Sequence, residues 1–531
     1  MKRKFGLFLS MLLLAISPYS FQSNNIITKN LNVLSSVYAT SSSMLNMSHS
    51  VTSNSSIVVT ADTPVRAGSD WTYGDFAWRD NFGTFLIGKV RGLSNRGVNK
   101  LATTGGNIDF PDKDLYGNDI TVLENYDTIM YNDLISLKGV SEHSIYSVTL
   151  PANLETIGGN FFKNQNITQI DFPSTLKKIG FKAFEGNKIE NLTIPESVNF
   201  IGPRAFRDNQ ISNLTLPSNT VKYNMEVFRG NKIINLNSSF NPDALASADD
   251  MYEDDKDDPY YGGDRLFMNN ELKNVSFEGI PSNITEISTQ MLMYNHLKSL
   301  ELPKRFNAIG SQTFKENKGW YNDNKKVALY IKDNGQYYLN NDTIDDSNAQ
   351  DYTINPVLVN FQIQDKDILP QEIKDKTELN IKRIRSNSDD KDITARITED
   401  YENFKLGDKL ELTSDVEGYK LSLLDDSNQI TLDPNNTDIV QDTSYGDGYE
   451  VGYKKADIKV KYQALPVELK IELVKLVNGA EQAITSAPNV TVKVDGAEQT
   501  ITQGTTLNAK YADEVEITPT NNTSYAVDKV E

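Results

Sequence analysis

The chain has 531 residues, with 53 lysines and arginines against 72 aspartates and glutamates, a formal net charge of −19. That balance excludes nucleic-acid binding through a broad basic surface. There is no cysteine, which excludes disulfides, thiolate metal sites and a cysteine nucleophile.

Lys2-Arg3-Lys4 precedes an apolar run from Phe5 to Ile16. The run is too short to span a bilayer comfortably, and Val37-Tyr38-Ala39 offers a cleavage site, so a signal peptide over 1–39 is predicted. No other stretch is long and apolar enough to cross a membrane. Residues 40–66 are rich in Ser, Thr and Asn and read as a spacer. Residues 67–146 read as an N-terminal cap with entry repeats, because Asn107-Ile108-Asp109-Phe110-Pro111 announces a phrase that recurs later. An open solenoid end exposes apolar surface and an unpaired strand edge. Trp71 and Trp78 are therefore expected to seal the cap by packing rather than to stack a ligand.

The phrase recurs as Ser147-Val148-Thr149-Leu150-Pro151, Gln169-Ile170-Asp171-Phe172-Pro173, Asn191-Leu192-Thr193-Ile194-Pro195 and Asn213-Leu214-Thr215-Leu216-Pro217, 22 residues apart each time. Ile157, Ile179, Ile201 and Tyr223 keep the same register, as do Phe162, Phe184, Phe206 and Phe228. A fixed period of this length predicts a solenoid with one coil per copy. The phrase is a strand, with Val148 and Leu150 on one side, Thr149 on the other, and a proline ending it. Leu176–Gly180 is expected to turn the chain, with Gly180 chosen for its backbone freedom. Asn187, Asn209 and Asn231 are expected to pair buried turn backbone groups.

These elements resemble BspA-type leucine-rich repeats of secreted bacterial surface proteins. Ile194-Pro195, Ile201-Gly202 and Ala205-Phe206 carry the resemblance. In period and setting the chain is also similar to internalins. The resemblance implies adhesion or recognition of host or neighbouring-cell molecules, without implying one ligand.

An acidic insert over 235–265 interrupts the repeats, which resume at Val275-Ser276-Phe277 and Leu300-Glu301-Leu302-Pro303; the solenoid is read as 147–339. Asp250, Glu253, Asp254, Asp255, Asp257 and Asp258 could supply calcium with oxygens. They lack the glycine and late glutamate of an EF-hand loop, and charge runs are ordinarily solvated loops, so no metal is expected. Asn334-Gly335 between two apolar runs predicts a closing hairpin over 326–339. Residues 340–355 read as a linker. Alternating strands over 356–465 and 466–531 predict two small antiparallel β-sandwich-like modules. Gly418-Tyr419 ahead of the strand Ile458–Tyr462 is similar to an element of mucin-binding-protein repeats; the second module has vague edges.

The fold class is therefore mainly β: a parallel-sheet leucine-rich-repeat solenoid followed by antiparallel modules. No catalytic constellation accompanies it. The three histidines are His49, His143 and His296, and no His-Glu-x-x-His, Gly-x-Ser-x-Gly or phosphate-cradling loop exists. The expected function is recognition, without enzyme activity or cofactor. The outward strand residues Thr149, Gln169, Asp171, Asn191, Thr193, Asn213, Thr215, Ser276 and Glu301 form the candidate binding platform, together with Asn274 and Ser299 on the same rows. The expected partner is a protein or glycan of a host or neighbouring cell, met by a secreted or cell-surface protein of a bacterium, expected to be Gram-positive, with association to the cell wall compatible with that setting. Two alternatives stay in view: an envelope or biofilm protein acting through self-association, and an enzyme within the C-terminal modules.

Overall fold

The computed structural model describes residues 59–79, 84–124, 140–218, 222–236, 263–277, 280, 282, 284–317, 326–339, 344, 350–385, 390–397, 403–435, 439–442, 452–470, 474–478, 480–483, 490–501, 505–511 and 513–519. The predicted signal peptide, most of the spacer and the acidic core of the insert lie outside these residues. The chain divides into two units, residues 1–206 with 252–254 and residues 207–251 with 255–531.

In the first unit, Trp71 and Trp78 are buried. The Trp71 indole N–H donates to the Asn107 carbonyl at 2.9 Å, tying the cap to the first strand phrase. Trp78 donates to the Tyr73 carbonyl at 2.9 Å. Phe76 packs between Trp71 and Phe110, at 5.6 and 5.3 Å between ring centroids. Ser94 starts the helix Asn95–Leu101 by accepting the Gly97 N–H. Aromatic packing thus buries both tryptophans.

The coils contribute two rows of short strands. The Leu-x-Ile-Pro phrase supplies one row: Asn107–Asp109 pairs in parallel with Ser147–Thr149, and Gln169 bridges Asn191. A second parallel row runs through Lys89–Val90, Val122–Leu123, Thr156–Ile157, Lys178–Ile179 and Phe200–Ile201. The expected turn at Leu176–Gly180 is thus partly a strand. Two residues are too few to show a period, but Ile157, Ile179 and Ile201 are wholly buried while Lys178 faces out. Gly180 is also needed for a reason other than backbone freedom. Its φ is not among the positive ones. A Cβ there would lie 2.5 Å from the Gly159 nitrogen of the preceding coil, and one at Gly202 would lie 2.6 Å from the Phe181 nitrogen. Close coil-to-coil approach demands the glycine.

The third corner of the coil carries left-handed residues that are not glycine. Asn160, Lys182 and Arg204 in the first unit, and Glu226, Arg265, Gln290 and Gln312 in the second, have φ between 53° and 61°. Such a residue costs about 1–2 kcal/mol. The conformation turns its N–H along the stack: Asn160 donates to the Phe181 carbonyl at 2.7 Å, Lys182 to Pro203 at 2.9 Å and Gln290 to Ser311 at 3.0 Å. These hydrogen bonds to backbone carbonyls of the next coil offset the strain. Glu226 is buried as well, and is held by Arg207, Arg229 and Arg265 at 2.9, 2.8 and 3.2 Å.

Inside the coils, phenylalanines stack at the repeat spacing: Phe162 on Phe184 at 5.2 Å, Phe184 on Phe206 at 5.4 Å, and Phe228 on Phe267 at 5.5 Å. Beside them runs an asparagine ladder. Asn187 accepts the Ile167 N–H of the preceding coil and donates to the Phe162 and Phe184 carbonyls, at 3.1, 2.7 and 3.0 Å. Asn270, Asn295 and Asn317 repeat this pattern, and Asn231 accepts the Ile211 N–H and donates to the Phe228 carbonyl. Gln165 takes the place in the first regular coil, accepting from Ser144 and Ile145. The structural reading of Asn187 and Asn231 holds; Asn209 is buried and donates to the Arg207 carbonyl at 3.3 Å.

In the second unit, Ser299–Pro303 is the last strand phrase, and Val327–Asp333 joins it in parallel. That strand folds back on Gln336–Tyr337 through Asn334 and Gly335, whose φ of 51° and 81° are those of a type I′ turn. Val327–Asp333 has two apolar faces. Ala328 and Tyr330 are wholly buried in one core with Val357, Val359, Phe361 and Ile458 of the following module. Leu329 and Ile331 alternate with them, and both are also buried. Residues 350–355, expected as linker, are part of this closure. Tyr352–Ile354 pairs with Val327–Leu329, and Asn355 accepts the Ile331 N–H at 2.9 Å while donating to Tyr338 at 3.0 Å.

The module itself holds two sheets over one core. Tyr453–Ala464 pairs antiparallel with Tyr419–Leu423 and Ile439–Asp442, but parallel with Val357–Ile363. The expected all-antiparallel pattern is broken there because the segment between the parallel strands carries the second sheet and so forms the long crossover such a pair requires. That sheet is antiparallel, in the order Lys391–Arg396, Glu378–Ile384, Lys409–Leu412 and Gln429–Thr431. Farther on, Val490–Val494 lies between Ala497–Ile501 and Val515–Pro519, over a core with Leu507 and Ala509. Gly418 joins this last module to the one before. It has φ +77°, and a Cβ there would lie 2.0 Å from the Tyr511 ring. The Leu465 N–H donates to Gly418 and the Tyr511 N–H to Leu465, at 2.7 and 2.8 Å.

Candidate functional site: the strand platform

Strand alternation sends Ile170 and Leu192 into the core and leaves their neighbours outside. In the first unit Thr149, Gln169, Asp171, Asn191 and Thr193 are all exposed. Parallel pairing sets them in two rows, Gln169 beside Asn191 in one and Thr149, Asp171 and Thr193 in the other. Neither row holds an aromatic ring. The N-terminal edge is braced by Arg66, whose guanidinium pairs with Asp109 and Asp112 and donates to the Leu150 carbonyl at 3.1 Å.

In the second unit Asn213 and Thr215 are exposed and Ser276 is half-buried. Asn274 and Ser299, expected to face solvent, are only 3 % and 2 % exposed. Asn274 donates to the Asn235 side chain at 2.8 Å. The covering of the last strand follows from its register. Ser299 pairs with Ala328 and Glu301 with Tyr330. Paired residues share a face, and this face of Val327–Asp333 packs into the module core. The module therefore covers the outer face of the solenoid's last coil.

Glu301 is engaged accordingly. Its carboxylate accepts from the Tyr337 hydroxyl, pairs with Lys332, and lies 4.0 Å from the Lys454 ammonium. Burial, reinforced by the bond to Glu301, pushes the Tyr337 phenol far above its ordinary value, so it remains a donor. Sequence reasoning missed Lys332, Tyr337 and Lys454 as partners of Glu301. Lys454 gives no sign of its burial, since it sits beside buried Tyr453 and so breaks the alternation of its strand.

Among the described residues no group of His, Asp and Glu could hold a metal ion. The calcium candidates Asp250, Glu253, Asp254, Asp255, Asp257 and Asp258 lie outside the described residues. No described helix is long and apolar enough to cross a membrane.

The model of the BspA type leucine rich repeat region matches residues 135–247 and 260–330 in six copies. These residues are a BspA-type leucine-rich-repeat region. No curated protein matches the chain. Among solved structures, a leucine-rich repeat protein from Bacteroides ovatus is 17 % identical, covering 48 % of this chain and 69 % of its own, with a TM-score of 0.27. The pneumococcal vaccine antigen PcpA is 18 % identical, covering 51 % of this chain and 67 % of its own, with a TM-score of 0.30. A leucine rich cell surface protein from Faecalibacterium prausnitzii is 14 % identical, covering 50 % and 57 %, with a TM-score of 0.22. The family match ends at residue 330 and brings no support to the mucin-binding-protein resemblance of residues 356–465.

Proposed function

We propose that this protein is a secreted or surface-held bacterial recognition protein that binds a macromolecular partner of a host or neighbouring cell through the strand platform. The observation that carries this reading is the exposed double row of Thr149, Gln169, Asp171, Asn191 and Thr193 on a BspA-type solenoid. Solenoids use such extended faces for binding. The absence of aromatic rings from these strand positions favours a protein over a glycan, since rings supply the stacking face. Envelope assembly through self-association is the competing reading, and an enzyme in the C-terminal modules a more distant one.

The full chain is screened against arrays of extracellular-matrix proteins and glycans, beside a chain carrying Asp171→Lys and Thr193→Lys. Both positions are exposed, so each change leaves stability within about 0.5 kcal/mol. The expected result is a protein ligand whose affinity falls at least tenfold in the variant. Equal binding by both chains overturns the platform assignment. No binding, with concentration-dependent self-association, supports the envelope reading.

A further inference from the structure

We propose that Lys454 is the pin of a pH-responsive latch that holds the β-module against the last solenoid strand, tightening as pH rises. The latch gathers four elements of one unit. Glu301 comes from the last solenoid strand, Tyr330 and Lys332 from the closing strand, Tyr337 from the return of the hairpin, and Lys454 from the central strand of the module. The Lys454 side chain is 5 % exposed. Its ammonium lies 4.2 Å from the Tyr337 ring centroid and 5.6 Å from that of Tyr330. Its backbone N–H donates to the Tyr330 hydroxyl at 2.8 Å. The pin is therefore fixed at both its backbone and its tip.

The charges do not balance while Lys454 is protonated. Glu301 carries one negative charge, already paired with Lys332, and Lys454 adds a second positive one. The Tyr337 and Tyr330 phenols, pushed up by burial, stay neutral. Burial is the largest influence on Lys454 and lowers it from 10.5 to about 8; Lys332 adds to the lowering and Glu301 opposes it. The sign follows from linkage. A group whose folded pKa lies below its unfolded one withholds stability below the folded value and delivers it in full above the unfolded one. The closed junction thus gains stability between about pH 8 and pH 10.5. Between pH 7 and pH 9 the closed-to-open ratio rises by roughly tenfold from Lys454 alone.

Two measurements on the full chain test this. The Lys454 side-chain resonance, assigned by its contacts to the Tyr337 ring, is titrated by NMR. Amide exchange at 326–339 and 452–464, corrected for intrinsic rate, is followed from pH 7 to pH 9 in the natural chain and in Lys454→Met. The expected results are titration near pH 8 and a roughly tenfold gain in protection that Lys454→Met lacks. A resonance titrating at the ordinary lysine value overturns the proposal, with no variant needed. Equal gains in the two chains overturn it too. Platform binding is not part of either readout, so failure of the recognition reading leaves this test intact.

Discussion

Asn295→Ala is expected to destabilise the solenoid by about 3–5 kcal/mol, as measured by urea unfolding and by amide exchange over residues 263–317. The side chain is buried, and its three shortest hydrogen bonds reach backbone groups of two neighbouring coils. It accepts the Leu272 N–H at 3.0 Å and donates to the Phe267 and Leu292 carbonyls at 3.0 and 3.1 Å. Alanine leaves all three without that partner, and an unpaired buried backbone group costs about 1–3 kcal/mol. Water has no ready access, because Phe267, Leu272 and Leu292 are wholly buried around the site. Thr193→Ala, at an exposed strand position, should change stability by less than about 0.5 kcal/mol. Equal effects at the two positions would remove the asparagine ladder as the element that joins one coil to the next.

Removal of residues 356–531 is the second large effect. Ala328 and Tyr330 are wholly buried in the core shared with the module, and the cut bares them. Burying a side chain the size of tyrosine contributes about 2–3 kcal/mol. The Tyr330 hydroxyl also loses the Lys454 N–H. Terminal coils of a solenoid are stabilised mainly by the neighbour that covers them, so exchange protection over residues 284–339 should collapse. Removing only residues 466–531 should leave that protection in place, since the shared core ends at Tyr462 with Ala464 packed against it. Protection surviving the longer cut would mean that the solenoid closes itself and the module is a separate appendage.

The repeat was legible because every coil meets the same physical demand. The invariant spacing of Phe162, Phe184 and Phe206 is that of a stacked ring column, and Asn187 three residues after Phe184 marks the pairing of the next backbone groups. What escaped has equally local causes. Lys178-Ile179 is a strand of two residues, too short for alternation to register. The left-handed corner is occupied by Lys182, Arg204 and Glu226, residue types that carry no signal for positive φ. The hairpin at Asn334-Gly335 was readable from its turn chemistry. Nothing in Val327–Ile331 told that both of its faces would be covered, because a continuous apolar run fits either a solenoid end or a sandwich core. Of the platform, the exposed rows followed from alternation. The burial of Ser299 and the pairing of Glu301 depended on contacts with residues far along the chain, which periodicity cannot register.

The most direct test of the recognition account is carboxylate footprinting of the full chain with and without the partner found by array screening. Carbodiimide labelling reads Asp171 and Glu190, exposed on and beside the platform, against Glu498, exposed in the last module. Bound partner is expected to slow labelling of Asp171 and Glu190 and to leave Glu498 unchanged. Unchanged labelling of Asp171, with protection confined to Glu498 or to the cap, would contradict it.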